Sequence, residues 1–491
     1  MNKRLFKYSS IILLLGLVFA GCKDLEDMNH DPTKANSTPT STLLSNAEKS
    51  AMDFLYNGLQ NGRIGMPYAQ YWAANDKAND SRYLLDEGIN NSLWNSFYAN
   101  TLRDLEEIIR LNRSHTAQEE TANQIAIASI LKVWIYQILT DCYGNIPFKS
   151  TMQVATNITP EYDDAKTIYT ALIDTLQNQV KLLNVAQPSF KSGDIIYGGD
   201  VAKWKKLGST LLLRMAIRMV DADQAKAKSI IEANYMNAIS SNDDNAVFQY
   251  LNTAPNKFPY NDSERGLTEF FVSGTLVDYM KSVSDPRLPI FARLPADASI
   301  TDYVGMPYGT DAANPNRKGQ DKYSIPGKRI YAADMQGILV TYPEVAFILA
   351  EAAARGFSVG GDAATHYKNG VTASLNYWGI TDQPAVDNYL TKVPYNAADW
   401  RNVIGSQKWL ALYPQGFQGW FERTRLHFKK PGGADLFIAP VDPSLDQNVT
   451  VVPYRLTYPV SEQQQNKANY DAASQAIGGD TKGTKLWWNK F

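Results

Sequence analysis

Cysteine is nearly absent from this chain: Cys22 and Cys142 are the only two among 491 residues. Two thiols cannot build the disulfide framework of a small secreted scaffold or a cysteine-rich zinc module. Histidine is almost as scarce, with four spread over positions 30, 115, 366 and 427. Neither H-E-x-x-H nor C-x-x-C occurs, so no metal and no cofactor are expected. Charge of one sign is lacking too, since 48 Lys+Arg against 50 Asp+Glu leave a net −2. A nucleic-acid binder needs a basic stripe for phosphates, and that partner is not expected. No stretch beyond the N-terminus approaches the ~18 uninterrupted apolar residues of a spanning helix.

What is plentiful is aromatic surface. Tyr (28), Phe (18) and Trp (10) make up 11% of the chain, more than a core needs, which points to stacking or interface work. Hydrophobic residues at 44% and charged residues at 20% are ordinary for a globular protein. Length alone allows two to four domains at ~100–200 residues each.

The N-terminus reads as an address. Lys3, Arg4 and Lys7 precede an apolar run from Ile11 to Ala20. Ten residues of helix span about 15 Å, half of a ~30 Å hydrocarbon core, so this is a signal h-region. Phe19-Ala20-Gly21-Cys22 resembles a bacterial lipobox, in which cleavage precedes the cysteine and its thiol carries the lipid. Residues 1–21 are therefore expected to be a signal peptide and Cys22 the lipidation site. Losing Lys3, Arg4 and Lys7 moves the net charge from −2 to −5. The acidic residues after Cys22 resemble the export signal that sends Bacteroidetes lipoproteins to the cell surface. Residues 22–42 form a polar tether, and 43–491 the folded body.

Within the body, Ile127, Leu131, Trp134 and Ile138 share one helical face, and Gly144 with Pro147 stops that helix. Helices are also expected from Asp163-Asp164 through Leu176, from Trp204 to Met219, over Tyr342–Arg355 and Asp362–Trp378, and at Trp400–Tyr413 and Gly419–Phe428. Residues 252–336 carry eight prolines and read as long loops, which in a helical scaffold are commonly functional. Residues 380–400 and 430–485 look similarly irregular.

Two motifs mislead. Gly356-Phe357-Ser358-Val359-Gly360 matches G-x-S-x-G, but it follows an Ala-rich helix where a nucleophile elbow needs a strand. Residues 478–485 loosely imitate a phosphate loop, with Thr484 between Gly483 and Lys485. Asn242 to Asn245 offers oxygen ligands but lacks the spacing and glycine of an EF-hand. Nothing singles out a catalytic pair among the acids, and no enzymatic activity is expected.

Several ordered segments carry a family resemblance. Asp141-Cys142-Tyr143-Gly144-Asn145-Ile146-Pro147-Phe148 resembles the D-x-Y-G-D-I-P-Y signature of SusD/RagB-type outer-membrane lipoproteins, departing at Asn145 and Phe148. The run from Trp204 through Arg214 to Arg218 resembles a second family helix, and Asp285-Pro286-Arg287-Leu288-Pro289 matches D-P-R-L-P. Tyr342 to Ala352, Gln407 to Leu412 and the terminal Leu486-Trp487-Trp488 complete the set. Read by themselves, these segments are scaffold. The Tyr-Gly-Asn-Ile-Pro stop is a turn, and Arg214 and Arg218 share a face from which they pair acids across the core or hold loop carbonyls.

The resemblance implies a mostly α, single SusD-like domain of tetratricopeptide-like helical hairpins with a large loop-rich ligand-binding half. It implies a lipid-anchored, surface-exposed outer-membrane protein. Such a protein binds nutrient, most simply an oligosaccharide, and delivers it as a hinged lid to a TonB-dependent SusC-like transporter. Other readings are the same role for oligopeptides, a surface glycoside hydrolase lipoprotein, or a structural lid without ligand contacts. For ligand binding the expected residues are Trp72, Tyr83 and Tyr323, then Tyr71, Asn75, Asp76, Tyr260 and Tyr303. They mix ring faces for sugar stacking with hydroxyl-bonding polar groups. Tyr68, Arg82, Phe258 and Tyr308 lie in the same two stretches.

Overall fold

The computed structural model describes residues 38–114, 119–151, 158–261 and 269–491. Cys22, the signal segment, His30 and His115 lie outside them. The longer helices are α1 (Thr40–Leu55), α2 (Glu87–Ser96), α3 (Arg103–Ser114), α4 (Glu119–Tyr143), α5 (Ala165–Leu182), α6 (Val201–Arg218) and α7 (Gln224–Asn234), then α8 (Gly274–Ser282), α9 (Tyr342–Ala354), α10 (Ala363–Tyr377), α11 (Gln383–Lys392), α12 (Trp400–Leu412), α13 (Gly416–Leu426) and α14 (Lys467–Ala476). Among the described residues six short strands, β1 (Trp72–Ala74), β2 (Ile146–Pro147), β3 (Tyr162–Asp163), β4 (Ala246–Gln249), β5 (Phe270–Val272) and β6 (Gln336–Val340), form three antiparallel pairs, β1–β5, β2–β3 and β4–β6.

Consecutive helices pack on one another from α3 to α7, and again as α9 with α10 and α12 with α13. This is the mostly α, tetratricopeptide-like layering that the family resemblance implies. Aspartates start the helices: Asp164 accepts from Thr167 N–H, Asp200 from Ala202 and Lys203, Asp223 from Lys226, and Asp362 from Thr365. Helix α4 holds one stretch, Thr121–Tyr143, long and apolar enough to cross a membrane, but 89% of it is buried inside the body.

Helix α11 corrects the expectation of an irregular 380–400: Asp382 caps it by accepting from Ala385 N–H, and Val386 and Tyr389 anchor it. Helix α13 begins at Gly416, ahead of the predicted Gly419, and α14 interrupts the loop-rich C-terminal stretch. Helix α1 starts at Thr40, after Pro39. Gly356 closes α9 in the left-handed region (φ 81°), and Phe357 N–H returns to Ala352 O at 2.9 Å. The G-x-S-x-G match is thus a helix cap. The Asn242–Asp244 turn spends one of its two acids on protein, Asp244 pairing with Lys206 at 2.7 Å.

The recognised segments turn out to be joints. Fully buried Asp141 accepts from Tyr169 Oη at the end of α5's first turn and, at 3.0 Å, from Trp488 Nε1 near the C-terminus. Gly144 turns with φ 84°, and Asn145 Oδ1 accepts the first helical N–H of α5, that of Ala165, at 2.9 Å. Arg214 forks onto Glu344 at 2.7 Å and also reaches the Leu339 carbonyl. Arg425 forks onto Glu351 at 2.8 and 2.6 Å. These buried pairs tie α6 and α13 to α9. Because each pair is bidentate and hydrogen-bonded, it offsets its own desolvation.

Candidate functional site

Strand β1 pairs with β5 in the register Trp72↔Val272, Ala73↔Phe271, Ala74↔Phe270. Two loop segments lie along the other side of β5. Met306 N–H donates to Val272 O at 2.9 Å, and Val272 N–H donates to Ser324 O at 2.9 Å. Residues 68–83, 303–308 and 323–324, far apart in sequence, therefore meet around one small sheet.

That sheet buries most of the expected ring platform. Trp72, Tyr71, Tyr83, Tyr260 and Tyr323 are each 3% exposed or less. Trp72 stacks on Phe270 with centroids 5.3 Å apart, packs against Tyr260 at 5.2 Å, and donates from Nε1 to Tyr413 Oη at 3.1 Å. Tyr71 stacks on Trp409 at 5.0 Å and donates to that residue's carbonyl. Tyr323 packs on Phe271, and its hydroxyl accepts from Lys318 N–H at 3.1 Å. Phe258 and Tyr308 are also buried. The faces of these rings are filled by protein, so in this structure they support loops and present no open platform. Burial pushes the phenols of Tyr71, Tyr83 and Tyr260 above their ordinary pKa, keeping them neutral donors.

The polar members fare differently. Beyond β1, Asp76 is exposed and accepts from Asn75 Nδ2 at 3.1 Å. Asn75 is largely buried, and its Oδ1 accepts from the Arg317 guanidinium. Arg82 pairs with Asp311, and Asn314 Nδ2 binds Asp442 at 2.9 Å. Tyr303 is half-buried, beside the Lys281–Asp302 pair.

A cleft of about 340 Å³ opens between the C-terminal end of α13 and the segments around 435–437 and 448–454. Its wall rests on the stretch singled out in sequence. Tyr83 Oη donates to Val451 O at 2.5 Å, and Gln70 Nε2 donates to Ile438 O at 2.6 Å. Half-buried Phe437 and Tyr454 line it, with His427, Lys429, Asp435, Asn448 and Thr450 supplying polar groups. At its base lies Arg423, 3% exposed, which donates to the carbonyls of Tyr68 and Val451, both at 3.0 Å. Its guanidinium covers the Phe437 ring, 4.2 Å from the centroid. Burial and the nearby cations Arg423, Lys485, Lys429 and Arg401 push the His427 imidazole below its ordinary pKa, so it is neutral at pH 7. Sequence reasoning missed this cleft because the residues 423–454 that line it carry no motif. The one clue was the irregular 430–485 stretch. Among the described residues no group of three or more His, Cys, Asp or Glu could hold a metal.

Neutral rings, hydrogen-bonding side chains and an open mouth equip this half to bind a polar ligand. A family model described as "Starch-binding associating with outer membrane" (SusD-like) matches residues 32–459. Among solved structures, a chitin-binding protein is 27% identical with a TM-score of 0.81, covering 92% of this chain and 100% of that one. A SusD homologue from Bacteroides uniformis is 23% identical (TM-score 0.80, covering 91% and 99%). A chitin-binding SusD homologue from Flavobacterium johnsoniae is 21% identical (TM-score 0.78, covering 91% and 98%). Comparison with curated protein sequences finds no match.

Proposed function

This chain belongs to the SusD-like family, whose members are described as starch-binding and associated with the outer membrane, and from that premise we propose that it captures extracellular glycan and hands it to a SusC-like TonB-dependent transporter. The observation that carries the reading is the family match over residues 32–459. A relative of known structure named as chitin-binding, superposing over 92% of the chain, points the same way. Cys22 carries the lipid that holds the protein at the cell surface, and the body acts as the lid.

The ligand site lies on the loop-rich half. Sugars lie against the faces of Phe437 and Tyr454 in the cleft, and Asn448, Thr450 and His427 bond their hydroxyls. Asp76, Asn75 and Tyr303 bring further polar contacts from the β1–β5 side. Trp72, Tyr71, Tyr83, Tyr260 and Tyr323, proposed from the sequence as direct ligand contacts, act here by holding those loops in place and not by touching the sugar. An aromatic wall with few polar groups gives modest affinity and ready release, which suits capture followed by transport.

The test is calorimetric titration of the chain from Lys23 onward with polysaccharides, oligosaccharides and peptides, each mixture also assayed for products. Saturable heat with glycans, and no products, is the expected result. Heat with peptides alone would replace glycan by oligopeptide, and steady product formation would make the protein an enzyme.

A further inference from the structure

The base of the cleft holds an electrostatic imbalance. Every other buried arginine among the described residues lies against an acid: Arg63 on Asp80, Arg82 on Asp311, Arg214 on Glu344, Arg218 on Asp141, Arg287 on Asp285, Arg425 on Glu351, and Arg455 on Asp480. Buried Lys408 has Glu422 at 3.0 Å. Arg423 alone has no carboxylate within salt-bridge distance among those residues. Its hydrogen-bond acceptors are the carbonyls of Tyr68 and Val451.

A guanidinium taken out of water without a counter-charge is costly, and burial accordingly pushes the Arg423 pKa down to about 10. The residue lines an open cleft whose rim adds Lys429, with Lys485 poised 5.5 Å from the centre of the Tyr454 ring. The one acid on the lining, Asp435, is already taken by Lys429 at 2.9 Å. The cleft thus offers a fixed positive charge, a rim whose one acid is neutralised, and ring faces beside it.

We propose that this cleft is a subsite for an oxyanion carried on a sugar, a uronate carboxylate or a sulfate ester, with Arg423 as its counter-charge; the proposal rests on the glycan reading and names the class of glycan. The ring face of the sugar lies on Phe437 or Tyr454 while its acidic group meets the guanidinium edge, an arrangement for which a planar donor fork is well shaped. Lys485 adds attraction that salt screens, and Lys429 offsets the charge of Asp435.

The experiment titrates the chain from Lys23 onward with three probes of matched length: a neutral chito-oligosaccharide, an oligogalacturonate and a sulfated oligosaccharide. Sodium acetate and sodium sulfate serve as controls. At least one acidic probe should bind about tenfold tighter than the neutral one, the scale of one charge-assisted hydrogen-bonded contact. Arg423→Met should remove that preference. A second variant, Lys429→Ala with Lys485→Ala, alters only exposed side chains. It should weaken acidic binding about threefold and flatten its dependence on salt, which keeps the test decisive if Arg423→Met fails to fold. Which acidic probe responds identifies the oxyanion. Equal binding of neutral and acidic sugars with the lysine variant unchanged would overturn the subsite and leave the glycan reading standing. Free acetate or sulfate binding as tightly as the sugars would also overturn it. Silence with every sugar would remove both readings.

Discussion

Trp72 shows how a residue's chemistry and its position can point in different directions. In sequence it sits among Tyr68, Tyr71, Asn75 and Asp76, a mixture suited to sugar contact. In the fold both its faces are taken, by Phe270 and Tyr260, and its N–H is spent on Tyr413. Trp72→Ala should therefore cost about 3–5 kcal/mol of stability, as removal of a fully buried Trp does, read as a lowered urea midpoint. An unchanged midpoint with lost glycan affinity would instead make Trp72 a direct stacking residue. The aromatic surplus was legible, but its destination was not, because this core is itself built of rings: Tyr71 on Trp409, Phe291 on Tyr413, Tyr68 against Trp420. Arg423 was illegible for a related reason. Two residues away, Arg425 has the same side chain and two acid partners. Only the fold decides which arginine is paired.

At the scale of elements, periodicity and caps carried most of the information. The helices α4, α5, α6, α9, α10 and α12 were readable from apolar spacing, helped by Asp before α5 and α10 and by Gly after α4, α9 and α10. Helix α11 escaped because only its Val386 and Tyr389 are buried, too few to make a pattern. The joints between helices were half readable. Arg214 and Arg218 shared a face in sequence, but their partner acids, Glu344 on α9 and Asp141 on α4, could be assigned only once those helices were placed. The cluster on α9, α12 and α13 gives a signed pH prediction. Arg425 holds the carboxyls of Glu351 and Glu422 below the usual range against the opposing effect of burial, and Lys408 helps hold Glu422. Their folded pKa values lie below the unfolded value of ~4.3. Their contribution is full above that pH and is lost as pH falls through the folded values. Glu422→Gln should thus be less stable than the parent by about 3 kcal/mol at pH 7, as when one partner of a buried pair is removed. The gap should narrow between pH 5 and pH 2. Urea midpoints measured across that range check it; a gap that stays constant would mean that Glu422 acts by packing alone.

For the whole molecule, the question is how a folded body stays at a membrane that none of its described helices enters. Among the described residues, the one stretch apolar enough to span, within α4, is mostly buried by the rest of the body. In the proposed reading, anchorage falls to Cys22. From Cys22 to Thr40, where α1 begins, the chain advances eighteen residues, which at ~3.3–3.6 Å each reach at most about 60–65 Å. Helix α1 is fastened to the body: Ser45 Oγ donates to Gly193 O at 2.9 Å and Thr40 Oγ1 donates to Gln124 Oε1 at 3.0 Å. A pull on the anchor is therefore passed to the core. The C-terminal end is fixed at another joint, with Trp488 on Asp141 and Asn489 Nδ2 donating to Thr424 O at 2.9 Å. These fastenings tie α1 and the C-terminal segment to the core, which is what the proposed role of a lid on a tether requires. Cys22→Ser should accordingly shift the protein from the outer-membrane to the soluble fraction while leaving its thermal unfolding and glycan affinity unchanged. Fractionation with metabolic fatty-acid labelling reads the first part, and calorimetry the second. Retention of Cys22→Ser at the membrane, without label, would mean that the folded body and its partner supply the anchorage and that the lipid does not.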